Sequence, residues 1–219
     1  MKYIIHSCEK RLWYVKEYLI PSLIKQGING EDIILWNDDQ GWGNLQSWAN
    51  SCEWIRDNLD IYDGCWHLQD DVLVCHDFKE RTQNPPINDI VCGYIANLDN
   101  VKEDDLGKQP ISKIQFSFPC TWIPNVYCVG FINWFNRDVV SGKYMPNLYK
   151  KNKFDDLFFM KYMKKYHKNI YTYNLDENLV EHICDLIGGA IVTQNVKNRA
   201  RNFKDQYLVK ELEEEIGGR

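Results

Sequence analysis

The most constraining feature of this chain is the way its first hundred residues alternate between two hydrophobic periods. Leu45, Trp48, Cys52, Ile55 and Leu59 recur at steps of three and four, which lays one apolar stripe along a helix. Short β-rich runs flank it: Tyr3 to Ser7, Ile33 to Trp36 and Trp66 to Leu68, each closing on polar residues. Leu12, Val15, Leu19 and Leu23 mark an earlier helix that Pro21 kinks or ends early. A β-α-β-α-β order of this kind predicts an α/β fold, a mostly parallel sheet flanked by helices. Its ligand crevice lies at the carboxyl ends of the strands.

The later sequence is less regular. Val72 to Val74 extends past the third strand, and Asp89 to Ile95 reads as a further strand. Residues 99–113 read as a polar loop, and Phe116 to Trp134 as a β-rich stretch broken by Pro119, Pro124 and Gly130. A helix from Asp155 to Tyr166, a strand from Ile170 to Tyr173 and a polar C-terminal helix complete the pattern. With 219 residues the length suits a single domain. We divide it into residues 1–95, which carry the regular pattern, and an irregular half, residues 96–219.

Composition removes several classes. The net charge of −5 argues against a protein that holds nucleic acid by counterion release alone. The stretch from Asn195 to Lys204 carries four basic residues, and a solvated helix face explains it most simply. Eight cysteines stand apart with no CxxC pair, so they read as buried free thiols of a cytoplasmic protein rather than a disulfide set or zinc cluster. The N-terminus has a strand pattern and no signal-peptide core. No run approaches the about 20 apolar residues needed to cross a bilayer, so a soluble protein with no membrane span is expected.

Three segments carry candidate chemistry. Asp70 and Asp71 are adjacent carboxylates at a strand end, a costly placement unless a cation offsets their repulsion. A divalent metal does so with one or two carboxylates, while the plain alternative is a polar turn. His182 lies among apolar residues in NLVEHI, where a packed core histidine is the plain alternative to a metal ligand. Gly41 to Asn44 opens a helix, as loops that let backbone approach a ligand do, and an ordinary strand-to-helix turn does the same. The loop lacks a P-loop lysine and dinucleotide-fingerprint spacing.

These segments resemble GT-A glycosyltransferases. WHLQDDVLVCHDF is similar to their strand-plus-DxD segment, in the variant with adjacent acids. NLVEHICDLIGG resembles their late segment whose histidine completes the metal shell, and HSCEKRLWYVKEYLIPSL resembles their opening stretch. The three stand in the family's order. Gln69 and Asn178 depart from it, standing where an acid and a proline are common.

The resemblance implies a GT-A, Rossmann-like fold. Residues 1–95 would bind a nucleotide sugar and residues 96–219 the acceptor. Asp71 and His182 would hold Mn²⁺ or Mg²⁺, and Asp70 would contact the donor ribose or a water of the metal shell. Ser7 and Arg11 would lie by the nucleotide, and Asp38 by the base or ribose. Asn44 belongs to the glycine loop that approaches the donor. Asp156, or else Asp155, would be the base that accepts the acceptor's proton, although an acid at a helix start also serves as a cap. FINWFN resembles the segment between donor and acceptor, and core packing is the simpler role for Trp134.

The implied activity is metal-dependent transfer of a sugar from a nucleoside-diphosphate, UDP-linked donor. The acceptor stays open between a glycan, a small molecule and modified DNA, for which Arg199 and Arg201 are the sequence support. Two other readings stand beside it: a Mg²⁺-dependent phosphohydrolase or nucleotidyltransferase, and a non-catalytic carbohydrate-binding module.

Overall fold

A computed structural model describes residues 1–95, 106–111, 118–144, 147, 149, 155–188, 200 and 202–217. Its centre is a seven-stranded sheet in the order β2-β1-β3-β7-β5-β8-β6. These strands are β1 (Lys2–Cys8), β2 (Ile33–Asp38), β3 (Gly64–Gln69), β5 (Ile90–Cys92), β6 (Gly107–Pro110), β7 (Cys120–Pro124) and β8 (Tyr171–Asn174). Strand β1 runs parallel to both β2 and β3, and β5 runs parallel to β8. Strand β7 lies antiparallel between β3 and β5, so the sheet draws on both sides of residue 95. The expected α/β class, a sheet flanked by helices, is what the chain adopts.

Strand alternation sends side chains to two cores. Tyr3, Ile5, Trp66, Leu68 and Trp122 face one side, where Tyr14, Val15, Leu19 and Leu23 cover them. Ile4, Cys65 and Ile123 face the other, beneath Leu45, Trp48, Cys52 and Ile55. That second set is the sequence stripe, carried on α2 (Asn44–Asn58). The first set belongs to a helical run, α1, built from Leu12–Tyr14, a π-helical turn at Val15–Leu19, and Ile20–Lys25. Pro21 neither ends nor interrupts this run. A π turn directly before it absorbs the missing backbone donor.

Two expected stretches differ. Among the described residues, the segment read as β-rich from Phe116 to Trp134 is a strand only at Cys120–Pro124, after which α4 (Asn125–Trp134) begins and continues through Phe135–Val140. Its outer face carries Val126, Val129 and Gly130 where polar residues would mark a helix, so no hydrophobic period betrays it. Trp134 is 2% exposed and packs against Phe131, Tyr144 and Tyr162, as a core residue. Within the expected polar loop, Gly107–Pro110 forms β6, whose polar residues suit a half-exposed edge paired with β8. Further helices among the described residues include α3 (Phe78–Thr82), α5 (Asp155–Tyr166), α6 (Cys184–Ile187) and α7 (Gln206–Gly217).

Gly64 shows how tightly β3 meets β7. A Cβ placed there would lie 2.4 Å from the Trp122 ring, which is itself buried. Gly64→Ala is therefore expected to cost about 1–3 kcal/mol through overpacking. A shift of the urea midpoint measures this, and an unchanged midpoint would show that Trp122 moves freely.

Below the helix stripe, His6 Nε2 lies 3.0 Å from His67 Nδ1, with Trp48 against both rings. Burial pushes His6 down to about 3 and His67 well below its ordinary 6.5. Both rings thus stay neutral in the folded chain, whereas unfolded histidine takes a proton near 6.5. Below that pH the unfolded chain binds more protons, so stability falls as pH drops from 6.5 towards 3. His67→Phe should flatten this acid slope by up to about 1.4 kcal/mol per pH unit, the contribution of one proton. Parallel slopes for the two proteins between pH 6 and 5 would refute it.

Candidate functional site

The sheet's parallel part sets the site. Strands β1 and β3 run side by side and end together, and the chain turns at Asp70 and Asp71 directly after β3. It then enters β4 (Val72–Val74), which leaves the main sheet and pairs antiparallel with β9 (Val180–His182). Val72 to Val74 is thus a separate ribbon rather than an extension of the third strand. Val72 lies opposite His182, and the Ile183 amide donates to the Asp71 carbonyl at 2.9 Å. Tyr14 on α1 ties the ribbon down by donating to the Val72 carbonyl at 2.8 Å.

This path brings together four of the residues singled out in the sequence. Arg11, just past β1, bridges both acids: Nη2 lies 2.7 Å from Asp70 Oδ1, and Nη1 bonds Asp71 Oδ2. His182 Nε2 lies 3.3 Å from the same Asp71 oxygen. The Cys8 amide donates to Asp70 Oδ2 at 2.9 Å. All four side chains are at most 13% exposed. Three polar atoms in this nest are buried with no hydrogen-bond partner: Asp71 Oδ1, His182 Nδ1 and Arg11 Nε.

The electrostatics separate the two carboxylates. Burial pushes Asp70 up to about 6, with the Asp71 charge adding to it and Arg11 opposing. Burial also works against Asp71, but the hydrogen bond and charge of His182, together with Arg11, hold it below the usual carboxylate range. His182 is desolvated as well, yet its bond to Asp71 raises it to about 10. Asp71 is therefore the ionised partner and Asp70 the easily protonated one.

Support for this nest comes from residues outside the expected site. Glu181 is 1% exposed and accepts from the His182 and Ala200 amides and from Gln206, fixing the strand on which His182 sits. Asn178, a departure from the family pattern, joins the Ile95 backbone through both its amide groups, at 2.5 and 3.2 Å. The Tyr94 ring packs on the imidazole at 5.9 Å between centroids. Cys184, half-buried, brings its sulfur to the same place: donor atoms of Asp71, His182 and Cys184 all lie within 4.8 Å of one another. The His-x-Cys spacing was the signal available for it.

The other candidates occupy different settings. Ser7 is buried at the end of β1, its hydroxyl donating to the Cys8 carbonyl. Asp38 ends β2 and accepts from the Trp42 and Gly43 amides at 2.9 and 2.8 Å, so its carboxylate shapes the glycine loop. Gly41 and Gly43 both hold a positive φ in that loop, and Asn44 follows them, exposed, as the first residue of α2. Asp155 and Asp156 open α5, each accepting from the next backbone amide at 3.0 and 2.6 Å. Burial and the neighbouring Asp156 push Asp155 up to about 7, and burial raises Asp156 too. Arg199 and Arg201 fall outside the described residues, while Lys204 pairs with Glu177.

All eight cysteines are free thiols, and six of them are buried. Among the described residues no helix is long and apolar enough to cross a membrane.

No protein-family profile matches the chain, and neither does any curated protein. Among solved structures the chain is similar to the glycosyltransferase GlyE of Streptococcus pneumoniae, with a TM-score of 0.42 and 10% identity over 80% of this chain. That match spans 45% of the length of GlyE. It is also similar to a Drosophila β-1,4-galactosyltransferase 7 variant in complex with manganese, UDP-Gal and xylobiose. There the TM-score is 0.43 and the identity 10%, over 96% of this chain and 74% of that one. A third similar structure is the galactosyltransferase LgtC with donor and acceptor sugar analogues, at TM-score 0.45 and 8% identity, over 98% and 96% of the two chains.

Proposed function

We propose that this chain is a metal-dependent glycosyltransferase that moves a sugar from a UDP-linked donor to a hydroxyl acceptor. One observation carries the reading. Arg11, Asp70, Asp71 and His182 come from distant segments and converge where β1 and β3 end, the position at which open α/β sheets bind ligands.

The donor set fits a hard divalent ion. Asp71 keeps a buried oxygen with no hydrogen-bond partner, and an imidazole stands beside it. Carboxylate plus imidazole, completed by phosphate oxygens and water, suits Mn²⁺ or Mg²⁺. Asp71 and His182 would hold that ion, which supplies charge to stabilise the departing diphosphate. Arg11 adds a fixed planar cation beside the two acids, suited to the remaining phosphate oxygens. Asp70, held by Arg11 and the Cys8 amide, orients the guanidinium, and would contact the donor ribose or a water of the metal shell. Ser7, Asp38 and Asn44 shape the nucleotide side, Asp38 by holding the glycine loop closed on itself.

The proton of the acceptor hydroxyl goes to the acidic pair that opens α5. Asp156 is the assigned base. Asp155, pushed up to about 7, has the affinity a general base needs near neutral pH and is its competitor for the role. The variant whose transfer rate falls further, Asp156→Asn or Asp155→Asn, identifies it.

Calorimetric titration with UDP tests the whole reading. Binding should require Mn²⁺ or Mg²⁺ and vanish in His182→Ala. UDP binding that ignores the metal and survives His182→Ala would sink it. Product analysis separates the chemistry: slow release of UDP and free sugar from a UDP-sugar marks a transferase, whereas release of UMP marks a phosphohydrolase.

A further inference from the structure

We infer that Cys184 is a third protein donor beside Asp71 and His182, giving an oxygen, nitrogen and sulfur site that takes Zn²⁺ or Co²⁺ without any nucleotide. The inference rests on the metal-binding part of the function proposed above and is independent of sugar transfer.

The geometry comes from the chain path. His182 ends β9, the Ile183 amide is pinned to the Asp71 carbonyl, and α6 begins at Cys184. Residues two apart across this bend thus meet on the Asp71 side. A tetrahedral ion with bonds of about 2.0–2.3 Å separates its ligands by about 3.3–3.8 Å. The Nε2 of His182 is already 3.3 Å from an Asp71 oxygen, and 4.8 Å bounds the spacings that include the Cys184 sulfur. The spacings thus exceed the coordinated ones by no more than about 1.5 Å.

Two further observations point to a ligand. Asp71 is 92% buried, with a side-chain exposure of 8%, and its Oδ1 accepts no hydrogen bond. The nest therefore holds a donor atom with no work in the protein as it stands. A thiol is also poorly suited to Mg²⁺, which demands oxygen, whereas sulfur with imidazole and carboxylate suits Zn²⁺ and Co²⁺. Three protein donors leave a fourth position open. A borderline ion would thus bind the free protein, while a hard ion would need the diphosphate to complete its shell. The two classes of ion should differ in their dependence on UDP.

Cobalt reports the sulfur directly. The full chain, reduced and free of metal, is titrated with CoCl₂ in the absence of nucleotide and followed by absorbance. Wild type should show a thiolate-to-cobalt charge-transfer band that saturates at a single equivalent. Cys184→Ser should lose this band while circular dichroism shows an intact fold, and should weaken Zn²⁺ by more than the about 10–100-fold that loss of an outer-shell partner costs. Cys8→Ser, the control for the other thiol near Arg11, should keep it.

Cobalt binding in wild type without the charge-transfer band would overturn the role of Cys184, as would a band that persists in Cys184→Ser. No cobalt binding at all would overturn it too. If Mn²⁺-dependent UDP binding persists in that case, the glycosyltransferase reading survives on its own. If both are absent, the metal site itself is refuted.

Discussion

Asp71→Asn should lower kcat/KM for the UDP-sugar about 1,000-fold, equivalent to about 4 kcal/mol of transition-state stabilisation. The substitution keeps the shape of the side chain and removes its charge. Asp71 is the carboxylate held below the usual range, the one with a free oxygen, and the one His182 touches. Asparagine offers one neutral oxygen in its place, so added Mn²⁺ should not restore the rate. Asp70→Asn makes the contrast. Asp70 sits near 6, gives both oxygens to Arg11 and the Cys8 amide, and has none left over. Its loss should cost nearer about tenfold, as the loss of an outer-shell partner does. Steady-state rates over a Mn²⁺ series decide the matter. An Asp71→Asn protein within tenfold of wild type, or one weaker by no more than Asp70→Asn, would remove Asp71 from the proposed metal site.

The largest effect on stability should come from Arg11→Leu. The guanidinium compensates two buried carboxylates at once, and removing one side of such a pair costs about 3–5 kcal/mol. The loss should depend on pH in a defined direction. Burial lifts Asp70 to about 6 even with Arg11 present, so its folded form keeps a proton that the unfolded form releases near 3.8. A raised carboxyl of this kind contributes stability below 3.8, and that contribution fades as pH rises through about 6. Without Arg11 the carboxyl rises further, and protonation relieves more of the strain. Arg11→Leu should thus be hurt most at pH 7 and less at pH 5, by urea denaturation. Arg11→Lys should recover part of the loss, because a single ammonium cannot fork across both acids. A cost under about 1 kcal/mol at pH 7, where exposed pairs fall, would mean that the acids are balanced some other way.

The sequence disclosed the parts of this molecule that local chemistry determines. The stripe from Leu45 to Ile55 and the strands at Tyr3, Ile33 and Trp66 were readable because each has a period and a polar boundary. The helix at Asn125–Trp134 was not, since its outer face carries Val126, Val129 and Gly130 and so lacks the polar stripe that marks a half-buried helix. The Asp71 and His182 pairing was legible through the order of three short segments, and the β4–β9 ribbon supplies the physical link. The placement of Arg11 was half legible. Its position beside the strand end follows from the pattern, but its grip on both acids depends on a turn sixty residues away. Cys184 was hidden for a different reason: its only signal, the spacing to His182, is weak for one thiol among eight until the fold sets it beside Asp71.

The ribbon also sets a condition on when the protein can work. Side chains of a strand alternate between faces, so a slip of one residue in β9 would turn His182 away and present Glu181 or Ile183 instead. Val72 finds His182 only after the chain has closed a very long loop, and such closure is entropically slow. A partly synthesised chain that already owns β1, α1, β3 and both acids still lacks the imidazole and the thiol. It would carry two adjacent carboxylates and an arginine, with no assembled centre. The proposed activity would thereby depend on the distal segment pairing with β4 in the correct register.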